Sequence, residues 1–166
     1  MQADGPSTRG WVLSSSSGRE SVSWRVRSID RGKDGLVLVC DVTLAGFYYD
    51  GVLDSGAVEP DFRLVLHGLE LRTRELERLV DRLEAWRALS LSELASAPIT
   101  LECSMGDLFD QSLLFELGRK DDTLAGGRLV ATFRYVVGRM TGEMSFPTDP
   151  GCLRGLADGI KTALGA

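Results

Sequence analysis

Residues 73–89 read TRELERLVDRLEAWRAL, and the spacing within them decides the fold class. Leu76, Leu79, Val80, Leu83 and Trp86 recur every three or four positions, so they share one stripe of a helix. Arg74, Glu75, Glu77, Arg78, Asp81 and Arg82 fall mostly on the other side. The spacing predicts an amphipathic helix over 73–89, with Thr73 as its N-cap and Glu75 in the positive first turn. Nearly everything around it reads as short strands, so this helix is expected to lie across a sheet.

Working outward towards the N-terminus, Phe62 to Leu71 has strand character, with Phe62, Leu64 and Leu66 on one face. Before it, Ala45 to Asp61 is a long connection containing Phe47, Tyr48 and Tyr49. Leu36 to Leu44 is rich in β-branched residues and reads as a central strand. Asp30 to Gly35 is the turn that joins it to Glu20–Ile29, where Val22, Trp24 and Val26 alternate with Ser21, Ser23, Arg25 and Arg27. Trp11 to Leu13 starts a first strand, which the polar run Ser14–Gly18 ends. Residues 1–8 are small and polar and read as a disordered tail, leaving 9–166 as a single domain.

Towards the C-terminus, Ser90-Leu91-Ser92-Glu93 has the form of a capping box, and Pro98 stops that turn. Ile99–Met105, Ser112–Leu117, Arg128–Val137 and Met140–Phe146 are four further strands. In the third, Leu129, Ala131, Phe133 and Tyr135 alternate with Val130, Thr132, Arg134 and Val136. Asp149 is a good N-cap with Pro150 at the first helical position, predicting a C-terminal helix over 150–164 with Leu153, Leu156, Ile160 and Leu164 inward. No internal repeat appears. Hairpin succession without regular strand–helix alternation predicts an α+β fold, an antiparallel sheet of seven to eight strands with a central helix (73–89) and a C-terminal helix packed on it.

The 166 residues are 43 % apolar and 26 % charged, the composition of a globular domain able to bury its own core. Twenty-four acids against 19 bases give a formal charge of −5, which argues against nucleic acid as a partner, since phosphate neutralisation needs clustered Lys and Arg. No basic segment followed by an apolar one opens the chain, and the longest purely apolar run is Leu36 to Cys40. The expectation is a cytoplasmic protein with no membrane partner.

Chemistry is sparse. His67 is the single histidine, and Cys40, Cys103 and Cys152 lack metal-ligand or disulfide spacing, so no metal and no cofactor is expected. His67 reads as a strand residue with an ordinary hydrogen bond, and the cysteines as small hydrophobes. There is no G-x-S-x-G elbow and no phosphate loop; Ala125-Gly126-Gly127-Arg128 reads as a hairpin turn. Asp107 and Asp110 in one turn, and Asp121 and Asp122 in another, make an alternative reading as a small hydrolase or cation-binding protein. Aspartate also accumulates in turns because its side chain bonds its own backbone. The loop Tyr48, Tyr49 and Asp50 is the candidate surface for a protein partner.

Several stretches together resemble a known family. They are Val42-Thr43-Leu44-Ala45-Gly46-Phe47, the helix around Leu76–Trp86, the Gly127–Val137 strand, and the ending Phe146-Pro147-Thr148-Asp149-Pro150-Gly151-Cys152-Leu153. This pattern resembles the bacterial immunity proteins paired with WapI-type polymorphic toxins, over about Leu36 to Leu164. The resemblance implies a non-enzymatic protein that neutralises a cognate toxin domain by binding it, with no catalytic residues. A homodimer with a purely structural role is a further alternative.

Overall fold

A computed structural model of the chain describes residues 9–47, 60–85, 99–104, 111–120 and 128–165. Among these residues the fold is α+β, an eight-stranded antiparallel sheet in strict chain order with two helices. The strands are β1 (Gly10–Ser14), β2 (Glu20–Gly32), β3 (Gly35–Gly46), β4 (Phe62–Arg72), β5 (Ile99–Ser104), β6 (Gln111–Lys120), β7 (Arg128–Val137) and β8 (Met140–Thr148). The helices are α1 (Thr73–Ala85) and α2 (Pro150–Gly165). Each strand follows from alternation: along β3, Leu38, Cys40, Val42 and Leu44 are buried while Val39, Asp41, Thr43 and Ala45 are only half-buried.

The order of elements shows a repeat that residue identities hide. Among the described residues, four strands and a helix are followed by four strands and a helix. Among the described residues β4 and β5 share one register pair, Glu70 with Ser104, and from that seam the sheet folds back on itself. Trp24 of β2 accordingly packs on Phe133 of β7, with ring centroids 5.9 Å apart. Phe133 stacks in turn on Phe115 of β6 at 5.0 Å and Phe146 of β8 at 5.7 Å. Outer strands approach as well: Ser16 donates its backbone N–H to the Pro147 carbonyl at 2.9 Å, and the Thr148 hydroxyl donates to the Ser14 carbonyl at 3.1 Å. One apolar core therefore serves both halves.

Helix α1 buries Leu76, Leu79, Val80 and Leu83 of the stripe its spacing demands, while Trp86 and the expected helix end over 86–89 lie outside the described residues. Each such burial is worth about 1.5–3 kcal/mol relative to exposure. Helix α2 lies against β1 and α1, burying Leu153, Leu156, Ala157, Ile160 and Ala163, and Lys161 pairs with Glu84 across the two helices. Asp149 caps α2 as its sequence suggests, accepting the Cys152 N–H at 2.9 Å. Gly159 is where α2 crosses β1: a Cβ there would stand 2.9 Å from the Trp11 Cβ.

Three details differ from the sequence reading. The Thr73 hydroxyl donates to the Leu36 carbonyl at 3.2 Å, tying the start of α1 to the β2–β3 hairpin. Strand β2 runs on to Gly32, because pairing with β3 continues to Gly35. Strand β8 runs through Pro147 to Thr148; proline is tolerated there because β8 is the last strand of the sheet order, and its carbonyl is taken by Ser16. The capping box at Ser90–Glu93 and the tail at 1–8 lie outside the described residues.

Candidate functional site

The outer face of β1–β4 follows from the same period of two that builds the core. When Val22 and Trp24 turn inward, Ser21, Ser23 and Arg25 must turn outward. The register aligns these residues in rows across the strands. Ser21, Ala45 and Arg63 form one row, and Val12, Ser23, Thr43 and Val65 the next. Arg25 and Asp41 are partners in the row after that. The result is a floor of short side chains with Arg63 at one margin and Arg25 and Arg27 towards the other, all three arginines exposed.

Asp41 is the most constrained polar group on this face. Register shifts flank it on both sides, at Val26/Ser28 in the β2–β3 pairing and at Cys40/Val42 in the β3–β4 pairing. These bulges place Arg27 of β2 and His67-Gly68 of β4 beside it. Gly68 has φ +71°, a left-handed conformation that glycine adopts without strain, and this turns its N–H onto Asp41 Oδ1 at 3.1 Å. His67 Nδ1 lies 3.4 Å from the same oxygen, and Arg27 Nε lies 3.6 Å from Oδ2. The Asp41 side chain is 18 % exposed, against 59 % for Arg27 and 67 % for His67. The carboxylate thus sits in the floor, and the two partners stand above it.

The outer face of β5–β8 differs in charge. Its described side chains include Glu102, Glu116 and Glu143, with Arg134 opposite Glu143 in the β7–β8 register. Arg134 Nε donates to Glu143 at 3.0 Å, and this bond, reinforced by Glu116, raises the guanidinium pKa further. Between the faces, where β4 and β5 diverge, lies a cleft of about 550 Å³ lined in part by Lys33, Asp34, Glu70, Arg72, Glu75 and Glu102. Charges of both signs line it, and among the described residues no group of three or more metal-ligating side chains forms.

Several sequence-derived candidates fall elsewhere. Tyr48, Tyr49 and Asp50, and the turn aspartates Asp107, Asp110, Asp121 and Asp122, lie outside the described residues. His67 is on a strand as expected, but its neighbour Asp41 comes from another strand. Cys40, Cys103 and Cys152 are free thiols, the first two buried. Burial pushes the Cys40 thiol up to about 12, and burial likewise raises Cys103 and Cys152. The alternation in β2 did expose Arg25 and Arg27 as a polar side. Asp41 was missed because nothing in LVLVCDVTL announces a bulge.

No protein-family model matches the chain, and no curated protein does. Solved structures share the fold. WHY1 from Arabidopsis thaliana superposes with a TM-score of 0.52 at 13 % identity, over 99 % of this chain and 86 % of that one. The plant transcriptional regulator PBF-2 gives 0.51 at 11 % identity, over 97 % and 85 %. Among the described residues no helix is long and apolar enough to cross a membrane. These likenesses overturn two expectations: the immunity-like protein that neutralises a toxin partner, and the exclusion of nucleic acid. The charge argument failed for a physical reason, since −5 averages over the whole chain while contact depends on which side chains share a face. At these identities the architecture alone is common: the chain has the fold of WHY1 and PBF-2.

Proposed function

We propose that this protein is a non-enzymatic nucleic-acid-binding module whose contact surface is the outer face of β1–β4. The observation that carries the reading is the placing of Arg25, Arg27 and Arg63 around a floor of Ser21, Ser23, Thr43 and Ala45. Short side chains let a sugar–phosphate backbone approach the sheet, and guanidinium groups meet phosphate oxygens in pairs. The fold shared with a transcriptional regulator supports the same class of ligand. Free thiols at Cys40, Cys103 and Cys152 suit a reducing compartment such as the cytoplasm. The similarity in element order to the WapI-associated proteins stays a proposal about ancestry and brings no activity with it.

Fluorescence anisotropy with labelled single-stranded DNA, duplex DNA and RNA tests the reading. At least one ligand is expected to bind with an affinity that falls as salt rises, because bound cations displace condensed counterions. Replacing Arg25, Arg27 and Arg63 together by alanine is expected to weaken binding at least about tenfold and to flatten the salt slope by about one unit per lost phosphate contact. Arg134→Ala, on the other outer face, serves as the control and is expected to change little. Absence of binding to all three ligands at low salt would overturn the proposal.

A further inference from the structure

We infer that Arg25, Arg27 and His67, gathered around Asp41, form a phosphodiester-binding site, and that Asp41 is its positioning residue. The inference rests on the nucleic-acid reading and names where on the face a phosphate is held.

Exposed arginines ordinarily sample many rotamers, and ordering them costs entropy when a ligand binds. Arg27 is different, because its Nε faces Asp41 Oδ2. The edge between the two terminal nitrogens of the guanidinium is a different edge from the one Nε presents to Asp41, and it is the fork that grips a phosphate bidentately. Across the strand, His67 turns Nδ1 to Asp41 Oδ1, leaving Nε2 for a ligand. Arg25 is the cross-strand register partner of Asp41 on the same face. One carboxylate therefore stands among two guanidinium groups and an imidazole, so positive charge remains in excess there.

The carboxylate is itself fixed from below. The Gly68 N–H holds Oδ1, and that bond depends on the bulge at His67-Gly68. Oδ1 serves β4 and Oδ2 serves β2, so Asp41 sets the spacing of two ligand-facing groups that belong to different strands. Without the two bulges, Arg27 and His67 would not both reach it.

The test turns on a sign. Asp41→Asn removes a negative charge from a face that binds a polyanion, so simple electrostatics demands tighter binding. A positioning role demands weaker binding, because the neutral amide holds Arg27 and His67 less firmly. We expect Asp41→Asn to weaken oligonucleotide binding about five- to tenfold with an unchanged melting temperature, and to have no further effect in a background carrying Arg27→Ala and His67→Ala. Tighter or unchanged binding by Asp41→Asn, with the wild-type protein still binding, overturns the site and leaves the nucleic-acid reading standing. No binding by the wild type removes both. If Asp41→Asn fails to fold, His67→Ala and Arg27→Lys decide the matter. Each removes one arm of the site, and each is expected to lose at least threefold in affinity; full affinity in both overturns the inference.

Discussion

At Asp149 a single carboxylate sets where the last helix begins. It accepts the Cys152 N–H, and this bond is the main reason its carboxyl titrates below the ordinary aspartate range. A carboxylate whose folded-state pKa is depressed stabilises the fold above the unfolded-state value and loses that contribution as pH falls through the folded-state value. Asp149→Ala is therefore expected to cost about 1 kcal/mol at neutral pH, as other lost caps do. Urea titrations should show the gap between variant and wild type narrowing in acid; a gap independent of pH would refute the capping role. Thiols offer a second reading at this scale. Cys40 and Cys103 are buried and their pKa values raised, whereas Cys152 is only partly buried. A thiol reagent should label Cys152 first and reach the other two only on unfolding. Early labelling of Cys40 in the native protein would contradict the packing described.

For the elements, the glycines of α2 separate helix propensity from packing. Nothing lies within 4 Å of a Cβ placed at Gly155, while one placed at Gly159 meets Trp11. Gly155→Ala is expected to stabilise the protein by up to about 1 kcal/mol, the usual gain in a helix interior. Gly159→Ala gains the same propensity but forces α2 off β1, for a net loss of about 1–3 kcal/mol. Thermal melts of the two variants should move in opposite directions, and parallel shifts would mean that α2 does not seat on Trp11. Most elements were legible in the sequence, because strand and helix periods repeat within a few residues. The burial of Leu76, Leu79, Val80 and Leu83 needed only their spacing. Ala157 and Ala163 escaped the helical stripe because alanine is not distinguished by hydropathy, and only contact with neighbouring elements shows that they are buried.

Over the whole molecule, the aromatic stack joins what the seam divides. Only one backbone pair links β4 to β5 among the described residues, yet Trp24 of the first half rests on Phe133 of the second. Phe133→Ala is expected to cost about 3–5 kcal/mol. Because both halves share that core, tryptophan fluorescence and far-ultraviolet circular dichroism should still report one transition in the wild-type protein. Two separated transitions would show that the halves fold independently.

What the sequence determined by itself was the local part: eight strands, two amphipathic helices, the Asp149 cap and the α+β class. These depend on residues within about one turn or two strand steps of each other. Tertiary structure alone decided the fold-back at Glu70–Ser104, the two bulges and the arginine-bearing face. The Gly68 N–H and the Asp41 carboxylate that define the proposed site are 27 residues apart in the chain. Their meeting depends on cross-strand register, which pairing across the sheet sets and no local pattern encodes.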